Sequence, residues 1–142
     1  MMKIEFVIKE FPKDLSKSYA LDSYTEGVVS LSIADKVVFK EEGILIVELY
    51  LALNKWIEEK DEQEKTDFIY ESMDFEESPI LAFMYEPHID AYKFDSVWKI
   101  LDGTVSFQDI KIAYEEFKKR LSREIFKRSG YELNSTLSHS FY

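Results

Sequence analysis

The chain has no cysteine among its 142 residues. Disulfides, thiolate metal sites and a cysteine nucleophile are excluded together, and a reducing, cytoplasmic setting is expected. Histidine is nearly absent as well, with only His88 and His139. Since no GxSxG turn accompanies them, a serine nucleophile has little to build on. The four glycines, Gly27, Gly43, Gly103 and Gly130, are scattered and form neither GxGxxG nor GxxxxGK. A phosphate cradle is therefore missing, and nucleotide-dependent chemistry is not expected. Four glycines and three prolines also leave few places for long flexible loops. Long hydrophobic runs are lacking: the longest, Ile44 to Leu53, is interrupted by Glu48 and covers about half of the roughly 20 residues a membrane span needs. The opening MMKIEFVIKEFPKD is broken by Glu5, Lys9 and Glu10, too early for the apolar core of a signal peptide. No membrane contact is expected.

What is present is aromatic and acidic. Eleven Phe, nine Tyr and two Trp, within a hydrophobic share of 46%, are enough for one domain over residues 1–142 with a real core. The formal charge is −10, and ten acidic residues against Lys60 and Lys65 place −8 of it in residues 58–77, EEKDEQEKTDFIYESMDFEE. Direct nucleic-acid binding is disfavoured by that charge, because phosphate contacts supply most non-specific affinity. The exception is a basic run, Lys111, Lys118, Lys119, Arg120, Arg123, Lys127 and Arg128. On a helix these cations complement the negative end of the dipole and pair with Glu115, Glu116 and Glu124 at three- and four-residue spacing.

The patterning predicts an α+β fold: an antiparallel sheet of about five to seven strands with two main amphipathic helices, about 42–60 and 106–128. In the second helix Phe107, Ile110, Tyr114, Phe117, Leu121 and Ile125 recur on one face, Ser106 and Asp109 form a cap-like start, and Gly130 follows the end. The first helix is expected to begin at Glu41 or Glu42 and to run through Ile46, Leu49, Leu53 and Trp56. Being apolar on more than one face, it should lie between the sheet and another element, or in a self-interface. Strands are expected over Ile4–Ile8, in a hairpin of Val29–Ile33 with Val37–Phe39, and at 67–74, 80–86, 88–95 and 97–101. A short helix is expected within 12–23, and packing of Tyr131, Leu133, Leu137, Phe141 and Tyr142 in the tail.

No residue constellation names a reaction. Glu86, His88 and Asp90 alternate so that a regular strand would turn all three to one face as metal ligands, yet Pro87 between them argues for a turn. No cofactor is implied. The acidic segment is different, because acids interleaved with Phe68, Ile69, Tyr70, Met73 and Phe75 describe a folded surface able to attract and hold a basic partner. The candidate contact residues are Glu58, Glu59, Asp61, Glu62, Glu64, Asp67, Tyr70, Glu71, Asp74, Glu76, Glu77 and Tyr85, the two tyrosines serving as rigid anchors beside the acids.

A small, cysteine-free, strongly acidic, aromatic-rich α+β chain without an enzyme motif resembles the immunity proteins of bacterial polymorphic-toxin and contact-dependent inhibition systems. The resemblance is one of type and carries no motif residue by residue. It implies a protein that neutralises a cognate toxin domain, often a basic nuclease, through acids that meet the toxin's Lys and Arg. Two other expectations stand beside it. One is a structural or regulatory homo-oligomer subunit, such as a homodimer, and the other is a carboxylate- or metal-dependent enzyme using Glu86, His88 and Asp90.

Overall fold

The computed structural model describes residues 1–16, 20–59, 65–72 and 75–133. In chain order the elements are β1 (Met2–Glu10), α1 (Ala20–Tyr24), β2 (Glu26–Ile33), β3 (Lys36–Leu45), α2 (Ile46–Glu59), β4 (Phe68–Tyr70), β5 (Leu81–Glu86), β6 (Ala91–Asp95), β7 (Thr104–Val105) and α3 (Phe107–Ser129). The fold is α+β and every strand pair is antiparallel. The expected single sheet is corrected to two, a three-stranded sheet β1-β2-β3 and a four-stranded sheet β4-β5-β6-β7. The division follows from α2, which leaves β3 and fills the space between the hairpins, so that β4 starts a new ladder.

Strict alternation builds the first sheet. Met2, Ile4 and Ile8 of β1 and Val29, Leu31 and Ile33 of β2 are buried, while Lys3, Glu5, Val7 and Lys9 face solvent. The β2–β3 hairpin turns through Ala34 and Asp35, at φ 52° and 65°, the double left-handed conformation that matches the twist of a two-residue hairpin. In the second sheet the inward column is aromatic: Phe68, Phe83 and Phe94 lie opposite one another across three strands. Phe39 of β3 meets Phe94 edge-on at 6.3 Å, joining the two sheets. Gly103 fits closely against the β2–β3 hairpin, where an added Cβ would come within 2.7 Å of Ile33 and 3.4 Å of Val38.

Helix boundaries show what local pattern can and cannot fix. α3 falls within one residue of expectation: the Ser106 hydroxyl accepts from the Asp109 amide at 3.1 Å, and Gly130, at φ 75°, ends the helix with its amide donating to the Phe126 carbonyl at 2.7 Å. α2 starts four residues later than predicted. Glu41 and Glu42 belong to β3, because Ile44 and Leu45 go on pairing with Gly27 and Glu26 before the chain turns helical. The strand expected at 97–101 is a loop and that at 88–95 shrinks to β6; β4 lies within the expected 67–74, of which 73–74 are outside the described residues, and α1 overlaps the expected 12–23 at 20–23, with 17–19 outside the described residues. At the C-terminus Leu133 is buried, whereas Leu137, Phe141 and Tyr142 lie outside the described residues.

α2 is apolar on two sides because it has two neighbours. Ile46, Val47, Leu49, Tyr50, Leu53 and Ile57 are buried, and Leu51, Ala52 and Trp56 pack against the same core from the flank. Trp56 is the hub, with ring centroids of Phe68, Phe83, Tyr92 and Phe107 within 5.5–6.4 Å. Tyr114 of α3 donates its hydroxyl to the Asn54 side chain, and burial, then Tyr50, pushes its ionisation upward. The second apolar face of α2 is thus used inside the chain.

Candidate partner-binding surface

β4 is short, but it is tied to α2 at both ends. At its start the Trp56 indole N–H donates to the Thr66 carbonyl at 3.2 Å; at its end the Tyr70 hydroxyl donates to Glu48 Oε1 at 2.7 Å. α2 and β4 therefore run side by side in opposite directions, and the end of the helix is held beside the start of the strand. Of the twelve expected contact residues, Glu58 and Glu59 lie in the last described turn of α2 and Asp67 lies just before β4. Glu71 directly follows β4, Glu76 and Glu77 lie between β4 and β5, and Glu48 accepts from Tyr70 at the end of β4. Asp61, Glu62, Glu64 and Asp74 lie outside the described residues.

Acids thus flank the three-residue β4 in the chain on both sides. Between them Ile69 is 53% exposed. This residue was not singled out from sequence: Phe68, Ile69 and Tyr70 are all apolar, so alternation alone does not say which one faces out. Tyr70 is the opposite case. It is 2% exposed, so its place is inside, as a strut between β4 and α2, and not on the surface as an anchor. Tyr85 is half-buried and engaged: its amide donates to Asp67 at 2.7 Å and its hydroxyl to Asp90 at 2.6 Å.

The loop that carries Glu76 and Glu77 is held at several points. The Ile80 amide donates to the Tyr70 carbonyl at 3.0 Å, the Ser96 hydroxyl to the Ile80 carbonyl at 2.6 Å, and the Val97 amide to the Pro79 carbonyl at 3.0 Å. Phe75 meets Trp98 edge-on at 5.2 Å. These contacts hold Phe75 and residues 79–80, on either side of Glu76 and Glu77, against β4 and the 96–98 segment. Glu58, Glu59, Glu71, Glu76 and Glu77 are exposed, and none forms an ion pair with another described residue. Glu58 and Glu59 are the last described residues of α2, and no basic residue lies in its last described turn, where the helix dipole is negative.

Glu86, His88 and Asp90 are not aligned on a strand. Residues 87–90 form the β5–β6 turn and Asp90 is at φ 47°. The Asp90 carboxylate is committed to the Tyr85 hydroxyl and, at 3.6 Å, to Lys65. The Tyr85 hydrogen bond, then Lys65, holds the Asp90 carboxyl below the usual range, and the hydrogen bond to Asp90 raises the Tyr85 phenol. Among the described residues no three His, Cys, Asp or Glu side chains form a metal-binding group, and no helix is long and apolar enough to cross a membrane.

Residues 4–127 match the family described as a domain of unknown function (DUF7878). The chain belongs to that family. The matched span runs from β1 to near the end of α3, so both sheets and the acidic surface lie within the family domain. No curated protein and no solved structure matches the chain.

Proposed function

We propose that the protein is an acidic protein-binding module that takes a basic protein on the surface around β4, as an immunity or inhibitor protein takes its toxin. The observation that carries this reading is the pair Glu58 and Glu59, exposed toward the negative end of α2 with no cation in its last turn among the described residues. Acids placed there are unfavourable to the isolated helix, and Lys or Arg side chains from a partner relieve them. Glu71, Glu76 and Glu77 extend the same field across β4, and Ile69 supplies apolar contact between the two groups. Matched fields of this kind raise the encounter rate and reject partners of the wrong sign. A toxin domain whose Lys and Arg normally hold nucleic acid has the required chemistry.

The test compares wild type with a variant in which Glu58, Glu59, Glu71, Glu76 and Glu77 are all changed to Gln. Both serve as bait for lysate at low salt and at roughly 0.3 M, where screening shortens electrostatic reach. A basic protein held by wild type and lost by the variant is then purified, and its association is followed by stopped flow. Association about tenfold slower, with a flattened salt dependence, is the expected result. Equal rates for both baits would sink the steering role of these acids.

A further inference from the structure

β1 is nine residues long and forms one edge of its sheet. The Ala34 amide donates to the Met1 carbonyl at 2.9 Å, which makes that pair hydrogen-bonded and sets the phase of the ladder. Val7 agrees, since its carbonyl reaches to within 1.9 Å of where a Cβ on Gly27 would stand. Odd-numbered peptide groups of β1 therefore point at β2, and those of Ile4, Phe6 and Ile8 point outward. The opposite edge of the sheet is covered by the 96–103 loop, where the Ile100 amide donates to the Val38 carbonyl at 2.8 Å. The second sheet ends in strands of three and two residues, so β1 is the long open edge among the described residues.

Alongside that edge runs α3, packed on β1 through Phe6 and Phe117 with ring centroids 5.7 Å apart. The groove between them, about 420 Å³, is lined by residues 5–8 of the strand, Glu5 included, and by Arg120, Arg123, Glu124 and Arg128 on the helix. Arg128 pairs with Glu124 at 3.7 Å. Arg120 and Arg123 have no ion-pair partner among the described residues. Three arginines against Glu5 and Glu124 leave the groove net positive in a protein of formal charge −10.

We infer that the β1–α3 groove binds an extended acidic segment of a protein partner, which adds to the sheet as a fourth strand with acidic side chains at alternate positions facing Arg120 and Arg123. Backbone pairing to Ile4, Phe6 and Ile8 supplies affinity, and the arginines select which alternate side chains are accepted. A second copy of this chain is disfavoured as the occupant. Antiparallel pairing of two β1 edges would set the two arginine rows against each other across the twofold axis. The surface is separate from the acidic one around β4 and does not depend on its role.

The test uses fluorescence polarisation with a labelled peptide of about ten residues alternating Glu and Thr, long enough to span β1 at roughly 3.3 Å per residue. Three comparison probes are the Lys-for-Glu peptide, the Glu peptide N-methylated at alternate residues, and an oligothymidylate. The Glu peptide should bind, shifting the amide resonances of Ile4, Phe6 and Ile8. Arg120→Glu with Arg123→Glu, both on the exposed flank of α3, should weaken it about tenfold, and N-methylation by a similar factor. Circular dichroism of the double variant confirms that it is folded. No binding of the Glu peptide, insensitivity to N-methylation, tighter binding of the oligonucleotide, or protection of the β1 amides through self-association would each overturn the proposal.

Discussion

Helix α3 begins on a Ser106 cap, carries Asp109 in its first turn, ends with Lys127 and Arg128 ahead of a left-handed Gly130, and pairs Glu124 with Arg128 on its surface. Helix α2 begins directly out of β3, its first amide passing from Ile46 to the Thr25 carbonyl at 3.0 Å, and has two glutamates as its last described residues. α3 is therefore supported by local terms worth a few tenths to about 1 kcal/mol each. α2 has fewer of these and must draw its stability from packing, as helices of this length generally do. A helix held by its flanks leaves its end free to carry charge that does nothing for the fold. The largest effect expected from this contrast is at Trp56. Trp56→Ala removes ring contacts to both β-hairpin aromatics and α3, and should cost about 3 kcal/mol in urea unfolding. Phe126→Ala on the exposed face of α3 should stay within about 0.5 kcal/mol. A cost below about 1 kcal/mol at Trp56 would break the contrast, because α2 would then need some other source of stability.

The start of α2 sharpens the comparison in another way. Where α3 has a satisfied cap, the approach to α2 holds two polar atoms, Asp22 Oδ1 and Thr25 Oγ1, that are buried without a hydrogen-bond partner among the described residues. Burial pushes the Asp22 carboxyl above its ordinary value of 3.8, with the Asp22 and Ser23 amides offsetting part of the rise. The folded state then holds this proton more tightly than the unfolded state does. Stability from this group is complete below about pH 3.8 and is lost as pH rises through the folded-state value. Asp22→Asn should consequently stabilise the protein near neutrality, by about 1 kcal/mol or roughly 3 °C in Tm, and give no gain near pH 3.5. Melting curves at both pH values decide it. A gain that persists undiminished in acid would mean that charge at Asp22 is irrelevant.

The same contrast explains which parts of the molecule could be read in advance. α3 was legible to within a residue because its signals are local: a cap, an apolar row at helical spacing and a terminal glycine. The first two strands were legible because one face is wet and the other dry, and alternation records that directly, whereas only Val37–Phe39 of β3 was expected and its burial does not alternate. The start of α2 was not, since Ile44 and Leu45 are apolar in a strand as they would be in a helix, and their pairing to Gly27 and Glu26 depends on residues far off in the chain. The division into two sheets is likewise a matter of where α2 inserts, which no local pattern carries. In the acidic segment, composition marked the surface but not its arrangement. Tyr70 turned inward and Ile69 outward because Glu48, twenty-two residues away, accepts the Tyr70 hydroxyl.

The smallest expected effect tests the comparison at the helix ends themselves. Glu58→Gln with Glu59→Gln removes two charges from the negative end of the α2 dipole and should stabilise the isolated protein by about 0.5 kcal/mol; Lys127→Gln with Arg128→Gln removes two favourable charges from the same end of α3 and should cost a similar amount. Both changes should shrink at roughly 1 M salt, where the screening length falls to about 3 Å. Opposite signs from chemically parallel substitutions would leave Glu58 and Glu59 without a role in holding the fold together. Acids that destabilise the free protein yet stay exposed are what a surface for a basic partner requires. A loss of stability in the α2 variant would instead bind those glutamates into the fold and remove the observation on which the proposed function rests.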